Sequence, residues 1–131
     1  MNEKKAIEVL KEYLKAWKNR DYELMFRKSQ KTYRAVHRDR KEADIEAFIG
    51  SKELTSYKLG DPLELGEAMV EIPVEIYYQQ QKEKYHKMIK VRVIKEIEAY
   101  KPSVNGTWGV NPISAFREEE PKKVKEKKDE S

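Results

Sequence analysis

The chain contains no cysteine, and that absence removes disulfides, thiolate nucleophiles and cysteine-ligated metal sites together. Long apolar runs are missing too. The mean hydropathy is −0.96, and no uninterrupted apolar stretch could form a signal-peptide core or a membrane span, so the residues as written read as soluble and untargeted. A domain cut from an exported or anchored parent reads the same way. Histidine is scarce: His37 and His86 are the only two, and neither has a second histidine or a carboxylate at metal-ligand spacing, which argues against zinc. No residue pattern asks for a cofactor.

What remains is 131 residues, 38% hydrophobic and 40% charged, with a net charge of +4. That length carries one core but not two, and the core must be lean beneath a surface dense in both signs of charge. From Arg117 to Ser131 there are six basic and six acidic residues and almost nothing apolar but Val124, the composition of a disordered tail. One domain is therefore expected over 1–116, followed by a charge-balanced tail over 117–131, with the net charge residing in the folded part. No internal repeat is present.

The order of elements is helices first, strands afterwards. Ala6, Ile7, Leu10, Tyr13, Leu14 and Trp17 fall at the spacing of one buried helical stripe, with Lys4, Glu8, Lys11, Glu12, Lys15 and Lys18 on the opposite, solvated face. Asp21 is a good N-cap for a second helix through Tyr22, Leu24, Met25 and Phe26. A third helix is expected around Arg40 to Ile49, capped by Asp39 and stopped by Gly50. Leu54 to Leu59 then reads as a strand closed by Gly60-Asp61-Pro62. Beyond Gly66, Ala68, Val70, Ile72, Val74 and Ile76 alternate with Glu67, Met69, Glu71, Pro73 and Glu75, which separates a core face from a wet face. Pro73 has no N–H to give a ladder, so an edge position or a bulge is expected there.

A hairpin at Gln79-Gln80-Gln81 leads to a partner strand, with Tyr85, Lys87, Ile89, Val91 and Val93 against His86, Met88, Lys90 and Arg92. Antiparallel pairing would bring Glu71 and Glu75 opposite or diagonal to Lys90 and Arg92. A last strand enters through Asn105-Gly106 and is expected to run to about Phe116, weakened near its end by Pro112. This is the pattern of an α+β fold.

Three features together resemble the nuclear transport factor 2-like superfamily. They are the opening helix with Leu14, Ala16 and Trp17 before Asn19-Arg20-Asp21, the long paired strands, and the closing Gly106, Trp108 and Val110. The likeness spans residues 3 to 116 and is greatest to small bacterial members. It implies N-terminal helices packed in a curved antiparallel sheet, a cystatin-like cone, often with dimerisation through the sheet's outer face. Function is not implied, because that scaffold carries isomerases, dehydratases, cyclases, transport adaptors and assembly modules alike.

Site residues must decide, and the inward strand positions are apolar. Glu67, Glu71 and Glu75 alternate with the core set and so read as solvent-side or cross-strand charges rather than pocket bases. His37 with Tyr33 or Asp39 is the one cluster suited to acid–base work. Tyr13, Trp17, Tyr33, Tyr57, Tyr78 and Trp108 read either as core or as the lining of a ligand pocket, the tyrosines being the better pocket candidates. Arg27, Lys28, Lys31, Arg34, Arg38, Arg40 and Lys41 stand against Asp39 alone, a stretch that would suit an acidic partner. Nucleic acid is the weaker partner there, because no groove-reading motif accompanies the charges. The residues argue for a non-catalytic binding or assembly module that docks a protein partner or a second copy. The alternative is a small-molecule carrier or enzyme with an apolar pocket.

Overall fold

The structure is a computed structural model that describes residues 2–115 and 122–123. Helix α1, Asn2–Lys18, buries the expected stripe: Ala6, Leu10, Tyr13 and Leu14 are fully enclosed and Trp17 nearly so. Helix α2, Tyr22–Arg27, is capped as expected, with the Leu24 N–H donating to the Asp21 carboxylate at 3.2 Å. The next segment departs from the sequence expectation. Lys31–Val36 forms an additional helix, α3, so four helices precede the sheet and not three. Helix α4, Glu42–Ile49, begins after Lys41 rather than at a cap by Asp39. Lys41 adopts φ 52°, and no side chain caps that end. Gly50 does stop the helix, at an ordinary φ of −61°.

The strands form one antiparallel sheet centred on β3, Met69–Gln80, and β4, Glu83–Glu98. The outer side of β3 carries β1, Glu53–Leu59, and then β2, Leu63–Gly66. On β4 lie β5, Lys101–Pro102, β6, Thr107–Val110, and the two-residue β7, Lys122–Lys123, which pairs with Tyr85 and His86. Val70, Ile72, Val74, Ile76 and Tyr78 of β3 and Ile89, Val91 and Val93 of β4 bury the inner face against the helices. The fold is α+β. Glu71 lies directly opposite Arg92, and their side chains meet at 3.2 Å.

Two strand expectations need correction. Pro73 is neither at an edge nor in a bulge: it sits inside the central strand β3, opposite Lys90. Its neighbour on the other side is the Gly60–Pro62 break between β1 and β2, where the Gly60 N–H donates to the Pro73 carbonyl at 2.7 Å. The missing N–H therefore falls where no continuous strand asks for one. The final strand also stops earlier than expected, at Val110. Pro112 opens a short helix, α5, Pro112–Ala115, whose first turn is capped by Asn111. Proline at the first helical position loses no hydrogen bond and has its φ set in advance, so there it starts a helix. Phe116 lies outside the described residues, as does the expected tail over 117–131 apart from Lys122 and Lys123.

The β3–β4 turn makes a direct prediction. Gln81 and Lys82 both take positive φ, 51° and 68°, the conformation of a two-residue turn that favours Asn-Gly. Replacing the pair with Asn-Gly relieves two side-chain-bearing residues of left-handed backbone and should raise stability by about 1 kcal/mol. Urea unfolding should show a higher midpoint at unchanged slope.

Candidate functional site

Of the six aromatic pocket candidates, Tyr78 lines one surface cleft and Trp108 another. Tyr13, Trp17, Tyr33 and Tyr78 are packed into the core, whereas Tyr57 and Trp108 are half-buried at its rim. The Trp17 indole donates to the Lys52 carbonyl at 3.1 Å, which fixes α1 to the start of β1. Tyr78 stacks on Tyr85 at 5.5 Å, with the Lys52 ammonium 5.6 Å from its ring centre. Burial holds the Tyr13 phenol well above its ordinary pKa; the neighbouring Tyr33 adds to the rise and the Ser29 hydroxyl opposes it.

The polar centre of the fold is a residue with no signal in the strand pattern. Glu96, at the end of β4, is 2% exposed. Its carboxylate accepts from the Gln30 side-chain amide at 3.0 Å, the Thr32 backbone N–H at 2.9 Å and the Thr32 hydroxyl. The same hydroxyl accepts from the Tyr100 N–H at 2.7 Å. Gln30, at the N-cap position of α3, makes no side-chain cap bond, so a strand residue far along the chain caps the helix instead. A carboxylate suits that place because the first helical N–H groups lack partners and carry partial positive charge. This carboxylate performs a structural task, with its oxygens already occupied by donors.

Two glycines let the backbones come close enough for this. A Cβ on Gly109 would lie 2.4 Å from the Gln30 Cα, and one on Gly106 would lie 2.1 Å from the Glu96 carbonyl carbon. Gly109 thus fits β6 against the 28–30 segment, where Gln30 N–H donates to Val110 and Val110 N–H donates to Lys28, each at 2.9 Å. Glycine inside a strand is the signal for such an approach, although it does not say what approaches.

His37 pairs with Asp44, not with Asp39. Its Nδ1 lies 2.8 Å from one Asp44 oxygen, while Arg40 Nε lies 3.1 Å from the other. Tyr33 is the second expected neighbour and is present, its ring stacked on the imidazole at 4.0 Å. The turn over 37–41, with Lys41 at φ 52°, folds the start of α4 back on the imidazole so that Asp44 reaches it, whereas Asp39 lies in the exposed part of that turn. Burial first, and the Asp44 charge second, push the Tyr33 phenol up to about 12.

The folded state therefore keeps the Tyr33 proton to higher pH than the unfolded chain does. Stability from this group is fully present below pH 10 and is lost as pH rises from about 10 to about 12, by roughly 2 kcal/mol. Melting temperatures followed across that window should fall, and Tyr33→Phe should flatten the fall.

The basic stretch is divided by its partners. Lys28 pairs with Glu12 at 2.9 Å, Arg40 with Asp44, and the Arg34 guanidinium donates to the Ser29 carbonyl at 3.0 Å. Arg27, Lys31, Arg38 and Lys41 form no ion pair with another described residue. Glu71 and Glu75 lie on the outer side of the sheet, where Glu71 meets Arg92 and Glu75 accepts from the Tyr77 hydroxyl at 2.9 Å. Leu63 and Met88 are exposed on that same side. Among the described residues no group of three His, Cys, Asp or Glu is placed to hold a metal ion, and no helix is long and apolar enough to cross a membrane. No family model matches the chain, and neither does any curated protein or solved structure.

Proposed function

We propose that this chain is a non-catalytic binding or assembly module of the cone-shaped, nuclear transport factor 2-like kind. It docks a protein partner or a second copy through the outer face of its sheet. The observation that carries the reading is the filled interior: Tyr13, Leu14, Ile72, Val74 and Val91 meet there at 0% exposure, leaving packing where an enzyme would need a reacting group. The buried Glu96 carboxylate is committed to a helix end. Outside, Leu63 and Met88 are each 57% exposed beside the Glu71–Arg92 pair, an apolar and charged mixture suited to an interface. The cations Arg27, Lys31, Arg38 and Lys41, without an ion pair among the described residues, offer an acidic partner a second contact, weakened by salt.

Sedimentation of the native chain against Leu63→Glu and Met88→Glu tests self-association. The expected result is a native dimer at micromolar concentration that both charges dissociate, with the circular dichroism spectrum of the folded monomer kept and the concentration dependence of the melting temperature lost. A native monomer whose melting point rises by several degrees with apolar small molecules would sink the proposal. That outcome would favour a second reading, a small-molecule-binding protein or an enzyme of isomerase, dehydratase or cyclase type. The His37–Asp44 pair stacked on Tyr33 supports it, since a carboxylate at Nδ1 orients an imidazole for proton transfer.

A further inference from the structure

A groove of about 450 Å³ runs between α1 and β6. Lys5, Glu8, Val9 and Glu12 form its helical wall, and Lys95, Gly106, Thr107 and Trp108 form its floor and far side. Their placement follows from both periodicities. The four α1 residues share one helical face, while Lys95 and Trp108 are direct cross-strand partners. Trp108 and Val9 are half-buried, so the floor offers an apolar ring that the core has not fully covered. The Lys95 ammonium lies 5.5 Å from the Trp108 ring centre.

Charge selects what can lie there. Glu12 is already neutralised by Lys28 at 2.9 Å, and Lys5 and Glu8 have no ion pair with a described residue. Two lysines therefore face one free carboxylate across an indole. A cationic ligand would have to displace Lys95 from the ring against like charge. A planar anion does the reverse: its ring takes the indole face by stacking, and Lys95 exchanges a weak contact with a π face for a charge-assisted hydrogen bond. We propose that this groove binds a planar aromatic carboxylate, its ring on Trp108 and its carboxylate held between Lys95 and Lys5. The site is separate from the outer sheet face and does not rest on the docking reading.

The test uses two probes with the same ring and opposite charge, 2-naphthoate and 2-naphthylmethylammonium, titrated into the full chain and followed by amide and indole N–H shifts. Naphthoate should move the signals of Lys5 to Glu12, Lys95 and Gly106 to Trp108 saturably, and should bind at least tenfold more tightly than the ammonium probe. Lys95→Met should weaken naphthoate about tenfold, and Glu8→Gln should tighten it a few-fold by removing the opposing charge. Both side chains lie outside the core, and unchanged melting temperatures will confirm that the fold is kept. Equal or tighter binding of the ammonium, shifts centred elsewhere, no saturable shifts at millimolar probe, or indifference to Lys95→Met would each overturn the assignment.

Discussion

Gly109→Ala is expected to lower stability by about 3 to 5 kcal/mol, a melting-point drop of roughly 10 to 20 °C, although it adds a single methyl group. The new Cβ would stand 2.4 Å from the Gln30 Cα and 2.7 Å from its nitrogen. Those are backbone atoms. A flexible side-chain tip could swing aside, but Gln30 is tied to Val110, and Val110 in turn to Lys28. Relief requires prying the 28–30 segment off β6, which breaks both bonds and opens the Glu96 cluster behind them. Gly106→Ala should behave alike, since its Cβ would press on the Glu96 carbonyl and the Ile97 nitrogen. Gly66→Ala is the informative contrast. Beyond its own chain neighbours no described atom lies within 4 Å of its added Cβ, so its cost is set by the backbone, φ 157°, and not by crowding. Circular dichroism melts of the three variants side by side would check this ranking; a Gly109→Ala protein as stable as the native one would refute the close approach.

The second large effect is expected at Glu96→Ala, about 3 kcal/mol. Truncation leaves the Gln30 amide and the Thr32 N–H and hydroxyl without their acceptor, in a place where Gln30 is 8% exposed. Each buried unsatisfied group costs about 1 to 3 kcal/mol, and water entering the vacated volume recovers only part of that. Thr32→Val, which removes one of the donors, should cost about 1 to 2 kcal/mol by itself. Because both changes strike the same hydrogen bond, the double variant should be less destabilised than the sum, by about 1 kcal/mol. Additive losses would show that the two side chains act independently. Loss of amide-exchange protection should concentrate in Lys31–Val36, the helix that this carboxylate caps.

How far the amino acids alone disclose this fold depends on how local each determinant is. The α1 stripe, the Asp21 cap, the alternation in β3 and β4 and the Glu71–Arg92 pairing are all set by neighbours in sequence or by one hairpin register. They are legible for that reason. Helix α3 is not, because its six residues include two β-branched ones, Thr32 and Val36, and its cap is supplied by Glu96. The carboxylate itself was hidden by its strand parity: it shares the alternation of His86, Met88, Lys90 and Arg92, the wet side of most of β4. Only where the 28–32 segment folds across that side is it sealed from water. The acid partner of His37 is not legible because sequence proximity favours Asp39, whereas the turn after α3 carries Asp44 back to the ring. Pro73 and Pro112 mislead in the sequence because proline's missing N–H argues against strand interiors. In both places the fold supplies a position where the missing donor is not needed.

The distance along the chain between Thr32 and Glu96 also dictates an order of events during synthesis. Lys31–Val36 leaves the ribosome when its capping group has yet to be made, and six residues without a cap are far too few to hold a helix in water. This segment should therefore emerge as coil, and acquire its shape only once β4 and β6 have followed it out of the exit tunnel. Nascent chains arrested before Glu96 should accordingly be cut by protease within 28–36, while the full-length chain resists there.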